Sequence, residues 1–247
     1  MINTLKKIVP VSFKKQYWRY LKKRRKAAKK KIKFDGQTPK EAFTFIYETN
    51  HWSGRDSISG GGSDLQHTQT VIKTINNLII ELNLKSVLDI PCGDFAWMQH
   101  VDLSTVNYIG GDIVNALVEK NNENFSKQGN LNFKVLDLAN DKLPKKDIII
   151  NRDCLVHLSF KDIFKAIDNI KKSGCKYLLT TTFPDHKINT DITTGDWRPL
   201  NLEEAPFNFY PPIKLINEQY KNPKYSGKSL ALWDIESIAV LNSTYLL

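Results

Sequence analysis

From Asp64 onward, short apolar runs of strand length alternate with longer amphipathic stretches, and this alternation restricts the chain more than any other feature. A strand followed by a helix and then a strand builds a parallel sheet, since each strand returns to the same side through a crossover that covers one face. The expected strands are Ser86 to Pro91, Asn107 to Gly111, Leu131 to Leu136, Asp147 to Asn151 and Tyr177 to Thr182, each short, apolar and followed by a polar or glycine-containing turn. Helices are expected over Asp64 to Leu82, Val114 to Phe125 and Phe160 to Lys172. In the first of these Leu65, Val71, Ile72, Ile75, Leu78, Ile79 and Leu82 share one face, and Asp64 stands where a cap belongs. Lys228 to Asp234 and Ser237 to Leu241 are expected to close the sheet as an antiparallel pair. A chain of 247 residues, 41% of them hydrophobic, buries one full-sized core, so the body is read as a single domain over residues 34–247.

Residues 1–33 are set apart by charge. They hold 14 lysines and arginines and no acidic residue, which leaves 22 basic against 26 acidic residues in the body, a net charge of −4 there. The overall charge of +10 therefore belongs to the tail. Phe13, Tyr17 and Leu21 recur at helical spacing after Pro10, with Trp18 and Tyr20 beside them, so the tail reads as a basic amphipathic helix. Such a segment suits an anionic membrane surface or a membrane-bound partner. RNA phosphates and simple solvation are the other readings, and nucleic acid is disfavoured because nothing in the acidic body extends the positive patch. No run of about 18 apolar residues is present, and Met1 to Val11 lacks the features of a secretory signal. Cys92, Cys154 and Cys175 are an odd number without a C-x-x-C pair, which argues against a disulfide scaffold and a structural zinc site. A cytoplasmic protein, peripheral at the inner face of the membrane, is the expectation.

In an open parallel sheet, ligands collect at the carboxyl ends of the strands. Three of those ends carry an aspartate. Asp89 lies in V-L-D-I-P-C-G-D-F, where Gly93 lets the backbone turn closely beneath a ligand. Asp112, in Y-I-G-G-D-I, follows 23 positions later, where a parallel nucleotide-binding unit grips ribose hydroxyls. Asp137, in F-K-V-L-D-L, is placed to accept from an adenine amino group. An aspartate at a strand end is commonly a cap or turn former, and the weight rests on the three together.

At these residues the chain resembles the class I S-adenosylmethionine-dependent methyltransferases, over about Asp64 to Thr182. The resemblance implies an α/β Rossmann-like fold, a mostly parallel seven-stranded sheet flanked by helices, with S-adenosylmethionine as cofactor. It places Asp89 and the Gly93 turn at the methionine part, Asp112 at the ribose, and Asp137 with the Leu138 amide at the adenine. Pro91, Cys92, Asp94, Ile113 and Arg152 stand beside them in the cofactor-binding set. Pro91 and Phe95 occupy positions where further glycines are common, a variant associated with a smaller bacterial subfamily. That loop argues against NAD or a nucleotide phosphate, which needs close backbone approach at several glycines. Upstream, Asn50 to Asp64 is rich in glycine and serine; it is read as a flexible linker or as a lid whose Ser53, Arg55 and Ser63 bond the methionine carboxylate.

Methyl transfer to a hydroxyl needs positioning and a base. Strand four runs into N-R-D-C-L-V-H, and Asp153 and His157 fall on one face if a helix begins there, the aspartate orienting the imidazole as general base. The alternative is a packed histidine capped by its neighbour. After strand five comes a polar stretch of about thirty residues, read as an acceptor-binding loop in which His186, Asn189, Asp191, Asp196, Trp197, Arg198 and Asn201 supply hydrogen-bonding and stacking groups. Its composition suits a polyhydroxyl acceptor, and no metal is expected, since two aspartates do not define a site. The expected function is O-methylation of a sugar or other small polar intermediate of bacterial surface-glycan biosynthesis. An RNA or protein methyltransferase with a basic substrate-binding tail, and a non-catalytic scaffold of the same fold, are the alternatives.

Overall fold

The computed structural model describes residues 34–54, 56–127 and 129–238. The expected tail helix, Arg55 and the last residues of the expected closing strand lie outside them. In Gly36–Leu247, seven strands form one sheet in the order β3-β2-β1-β4-β5-β7-β6. They are β1 Ser86–Asp89, β2 Asn107–Asp112, β3 Leu131–Val135, β4 Ile148–Asn151, β5 Tyr177–Thr182, β6 Lys214–Asn217 and β7 Ser229–Asp234. The first five pair in parallel, and β7 runs antiparallel to both β5 and β6. Strand order reverses between β1 and β4, so the crevice at their carboxyl ends is open to a ligand.

Among the described residues, four helices flank the sheet: α1 Pro39–Glu48, α2 Leu65–Glu81, α3 Asn115–Phe125 and α4 Phe160–Lys172. Neighbouring strand residues point to opposite faces, and each face finds its own cover. Leu88, Ile149, Leu178 and Trp233 pack with Ile163, Phe164, Ile167 and Ile170 of α4. Val87, Ile148, Ile150, Leu179 and Leu232 pack with Val71, Ile75 and Leu78 of α2. Burial on both faces is what made the runs apolar enough to read as strands.

Two local expectations are corrected. The partner of β7 is the upstream β6, whereas Ile235–Ser237 is a single 3-10 turn. Asp64 stands at the N-cap of α2, but its side chain makes no cap bond; Oδ1 accepts the Asp56 amide at 3.2 Å instead. The first helix, α1, was not read from the sequence. Thr38 and Glu41 close a reciprocal capping box around it, with Pro39 in the first turn.

Candidate active site

The turn after β1 is held from two sides. Gly93 has φ +55, which favours glycine, and a Cβ there would lie 2.4 Å from Ser59 Oγ, so there is no room for a side chain. Its amide donates to Asp112 Oδ2 at 3.0 Å, while the Val114 amide donates to Oδ1 at 2.9 Å. Asn121 of α3 donates to the Gly93 carbonyl at 2.8 Å and fixes the turn from below. Burial lifts the Asp112 carboxyl to about 6, against the opposing pull of the Val114, Gly93 and Ile113 amides.

These groups border a cleft at the carboxyl ends of the parallel strands. Of the residues singled out from the sequence, Ser63, Pro91, Cys92, Gly93, Asp94, Asp112, Ile113, Asp137, Leu138, Arg152, Asp153 and His157 line it. Asp89 does not. It is 1% exposed beneath the floor, where the Tyr108 hydroxyl donates to it at 2.7 Å and burial pushes its carboxyl up to about 7. Asp137 lines the cleft, but its two oxygens accept from the Ala139 amide and the Asn140 side chain, both at 2.8 Å, so the carboxylate caps its own turn. Ser53 also stands apart: its amide closes a turn onto the Asn50 carbonyl, and its φ is +54.

The glycine- and serine-rich segment is pinned across the cleft. The Asp94 carboxylate accepts the Ser57 hydroxyl and the Ile58 amide, each at 2.9 Å, and the Ser59 hydroxyl at 3.4 Å. Further along, the Gly62 carbonyl accepts from Arg152 Nη2 at 2.9 Å.

Arg152 belongs to a buried ion network. Glu218 takes its Nε at 3.2 Å and Nη2 at 2.7 Å, and Asp153 Oδ2 lies 3.3 Å from its Nη1. Lys228 Nζ reaches Asp153 Oδ2 at 2.6 Å and Glu218 Oε2 at 3.3 Å. Two cations and two anions balance. Burial acts to raise the Asp153 pKa, but Lys228 and Arg152 overcome it and hold the carboxyl well below the usual carboxylate range.

The expected Asp153–His157 pair is not formed. Asp153 takes a left-handed conformation, φ +53, with its amide bonded to Thr181 Oγ1 at 2.8 Å, so no helix begins there; Leu155–His157 is a 3-10 turn. His157 Nδ1 lies 2.8 Å from the Asp196 carbonyl instead. A carbonyl only accepts, so Nδ1 carries the hydrogen and Nε2 keeps its lone pair. Burial drives the imidazole down to about 4, which leaves it neutral at physiological pH.

The thirty-residue loop after β5 is a scaffold. Its peptide groups are satisfied in part by backbone bonds of turns and neighbouring segments and in part by side chains. Asn189 Nδ2 donates to the Asn201 and Ala205 carbonyls, Asn201 Nδ2 to those of Pro184 and His186, and Arg198 to those of Thr190, Leu155 and Leu158. Asp191 accepts the Phe160 amide at 2.7 Å, and Trp197 packs edge-on against Phe183 and Tyr225. None of His186, Asn189, Asp191, Asp196, Trp197, Arg198 and Asn201 lines the cleft. Asp196 contributes only the carbonyl that orients His157.

The wall opposite comes from residues the sequence reading passed over. Phe43, Ile46 and Tyr47 of α1, with Trp52 and Trp97, line the cleft, and Glu218 and Lys228 complete the ion network of Arg152 and Asp153. The T-P-K-E start of α1, with Phe43, Ile46 and Tyr47 at i, i+3 and i+4, is the signal that was available.

A parallel sheet of this order with an antiparallel strand, β7, inserted between β5 and β6 is the class I methyltransferase fold. Magnesium protoporphyrin IX methyltransferase ChlM from Synechocystis PCC 6803, solved with S-adenosylmethionine bound, superposes with a TM-score of 0.55 at 12% identity, over 80% of this chain and 97% of that one. The methyltransferase domain of bacterial CtHen1 gives 0.53 at 13% identity, over 68% of this chain and 98% of that one. Among curated proteins, 235L of Invertebrate iridescent virus 6, which carries a methyltransferase name, is 27% identical over 139 residues, 53% of this chain. The chain spans about half the length of that relative, 51%. No family model matches the chain.

Proposed function

We propose that this protein is an S-adenosylmethionine-dependent methyltransferase acting on a small-molecule acceptor. The observation that carries the reading is the Asp112 carboxylate, held at the cleft wall by the Gly93 and Val114 amides with lone pairs left for a vicinal diol. Gly93 and Pro91 would face the methionine part, Asp112 and Ile113 the ribose, and Leu138 the adenine. When bound, the cofactor supplies an electrophilic methyl on sulfur. His157 offers a neutral acceptor nitrogen to the proton of the methyl acceptor, and Asp153 stays ionised beside it. The loop composition that suggested a surface-glycan sugar no longer supports one, since its side chains serve the loop's own backbone.

Calorimetric titration with S-adenosylmethionine and S-adenosylhomocysteine tests the proposal, and pH gives it a signature. Ribose hydroxyls donate more strongly to the ionised Asp112, so affinity is full above its pKa of about 6 and falls as pH drops through it. About tenfold weaker binding is expected at pH 5 than at pH 7.5. Absence of binding at either pH rejects the reading; a pH profile left unchanged by Asp112→Asn rejects the role of Asp112.

The tail, residues 1–33, is proposed to hold the enzyme on the anionic cytoplasmic face of a membrane, supported by its 14 basic residues and the mild acidity of the body. Deleting it should abolish sedimentation with phosphatidylserine vesicles while the cofactor still binds. Sedimentation that survives the deletion contradicts the anchor.

A further inference from the structure

We infer that the acceptor half of the cleft takes a flat, largely apolar molecule bearing one acidic hydroxyl, a phenol or an enol, in preference to a free sugar. The inference rests on the methyltransferase reading, because it concerns the wall which that reading leaves to the second substrate. That wall is aromatic. The Trp52 ring lies 4.6 Å from the His157 ring at 31°, and Phe43 meets Trp52 edge-on at 6.4 Å. Tyr47, one turn along α1 from Phe43, lines the same side. An aromatic acceptor would lie against these rings in the offset or edge-on arrangements that aromatic pairs favour.

The polar groups on this side are few. Asp162 accepts from the Ser159 hydroxyl at 3.0 Å and from the Thr194 hydroxyl, and Asp153 Oδ2 is taken by Lys228 and Arg152. His157 Nε2 offers an acceptor to a substrate, whereas Asp153 Oδ1 is shared with the Thr181 hydroxyl at 3.5 Å. A pyranose brings several hydroxyls, and each one buried without a partner costs about 1–3 kcal/mol, so a wall made mainly of aromatic rings favours an acceptor with fewer of them. A molecule with a single hydroxyl is fully served.

The proton transfer agrees with this choice. As the acceptor oxygen bonds the methyl carbon and the carbon–sulfur bond breaks to leave a neutral thioether, the hydroxyl proton passes to Nε2. The imidazolium so formed, steadied by Nδ1–H on the Asp196 carbonyl, then releases the proton to solvent. A base held near 4 is mismatched to any hydroxyl, but far less to one of pKa about 10, as in a phenol, than to one near the ~16 of water.

The test uses p-nitrophenol and methyl α-glucopyranoside as probes, titrated by calorimetry into the full chain with and without saturating S-adenosylhomocysteine. p-Nitrophenol should bind at least about tenfold more tightly than the glucoside. Trp52→Ala should weaken p-nitrophenol about tenfold, and Trp52→Phe should restore most of the loss. A glucoside that binds as well as the phenol, or p-nitrophenol binding indifferent to Trp52→Ala, overturns the inference. Failure of S-adenosylhomocysteine to bind in the parallel titration strikes the methyltransferase reading instead, while phenol binding to the cofactor-free chain still decides the slot.

Discussion

Glu218→Ala is expected to lower the unfolding free energy by about 3–5 kcal/mol, read as a shifted urea midpoint at unchanged slope. Glu218 is 2% exposed and accepts both Arg152 bonds, at 3.2 and 2.7 Å, as well as Lys228 at 3.3 Å. Without it two buried cations share the single carboxylate of Asp153, and one positive charge is left without a counter-charge of its own. Glu218→Gln keeps the shape and an acceptor but not the charge, so it should fall between the two. A loss under about 1 kcal/mol for the alanine variant would mean that water reaches Arg152 and the network is not sealed.

His157→Ala should cut kcat by about 10²–10⁴ at saturating cofactor while leaving the cofactor Kd within about twofold. The ring touches the acceptor side of the cleft, stacked on Trp52, and the cofactor side is built from other residues. The pH dependence carries a second expectation. A base must be unprotonated, so activity at saturating cofactor should persist down through pH 6 and fall only near pH 4, where burial has placed the imidazole. An acid limb at pH 6.5, the value of a free histidine, would show that His157 is hydrated in the working enzyme and would remove it from the role. Equal losses in kcat and cofactor affinity would point to a collapsed pocket.

What could be read from the chain was whatever is fixed by neighbours in sequence. β2 and β5 were read to within one residue at either end, because strands sealed on both faces leave continuous apolar runs. α4 was read at its observed ends, since Ser159 caps it and its buried residues fall at helical spacing. Asp112 and Gly93 were visible for the same reason, the one ending its strand and the other lying in the turn that follows its own. β6 was not visible: it is a four-residue edge strand with Lys214 and Leu215 exposed, and nothing in its pattern separates it from loop. The ion network escaped because its partners are far apart along the chain, 66 positions for Arg152 and Glu218 and 75 for Asp153 and Lys228. The loop after β5 misled by composition. Polar side chains there look the same whether they await a ligand or satisfy their own backbone, and only the count of unpaired peptide groups tells the two apart.

The hairpin that carries Glu218 and Lys228 has a consequence for synthesis. A nascent chain completes its five parallel strands at Thr182, yet the two groups that balance Arg152 and Asp153 emerge from the ribosome dozens of residues later. Until then Arg152 is better left hydrated than buried, so the sheet can form while the mouth of the crevice stays wet. Translation arrested between Thr182 and Lys228 would thus leave Arg152 and Asp153 without these counter-charges.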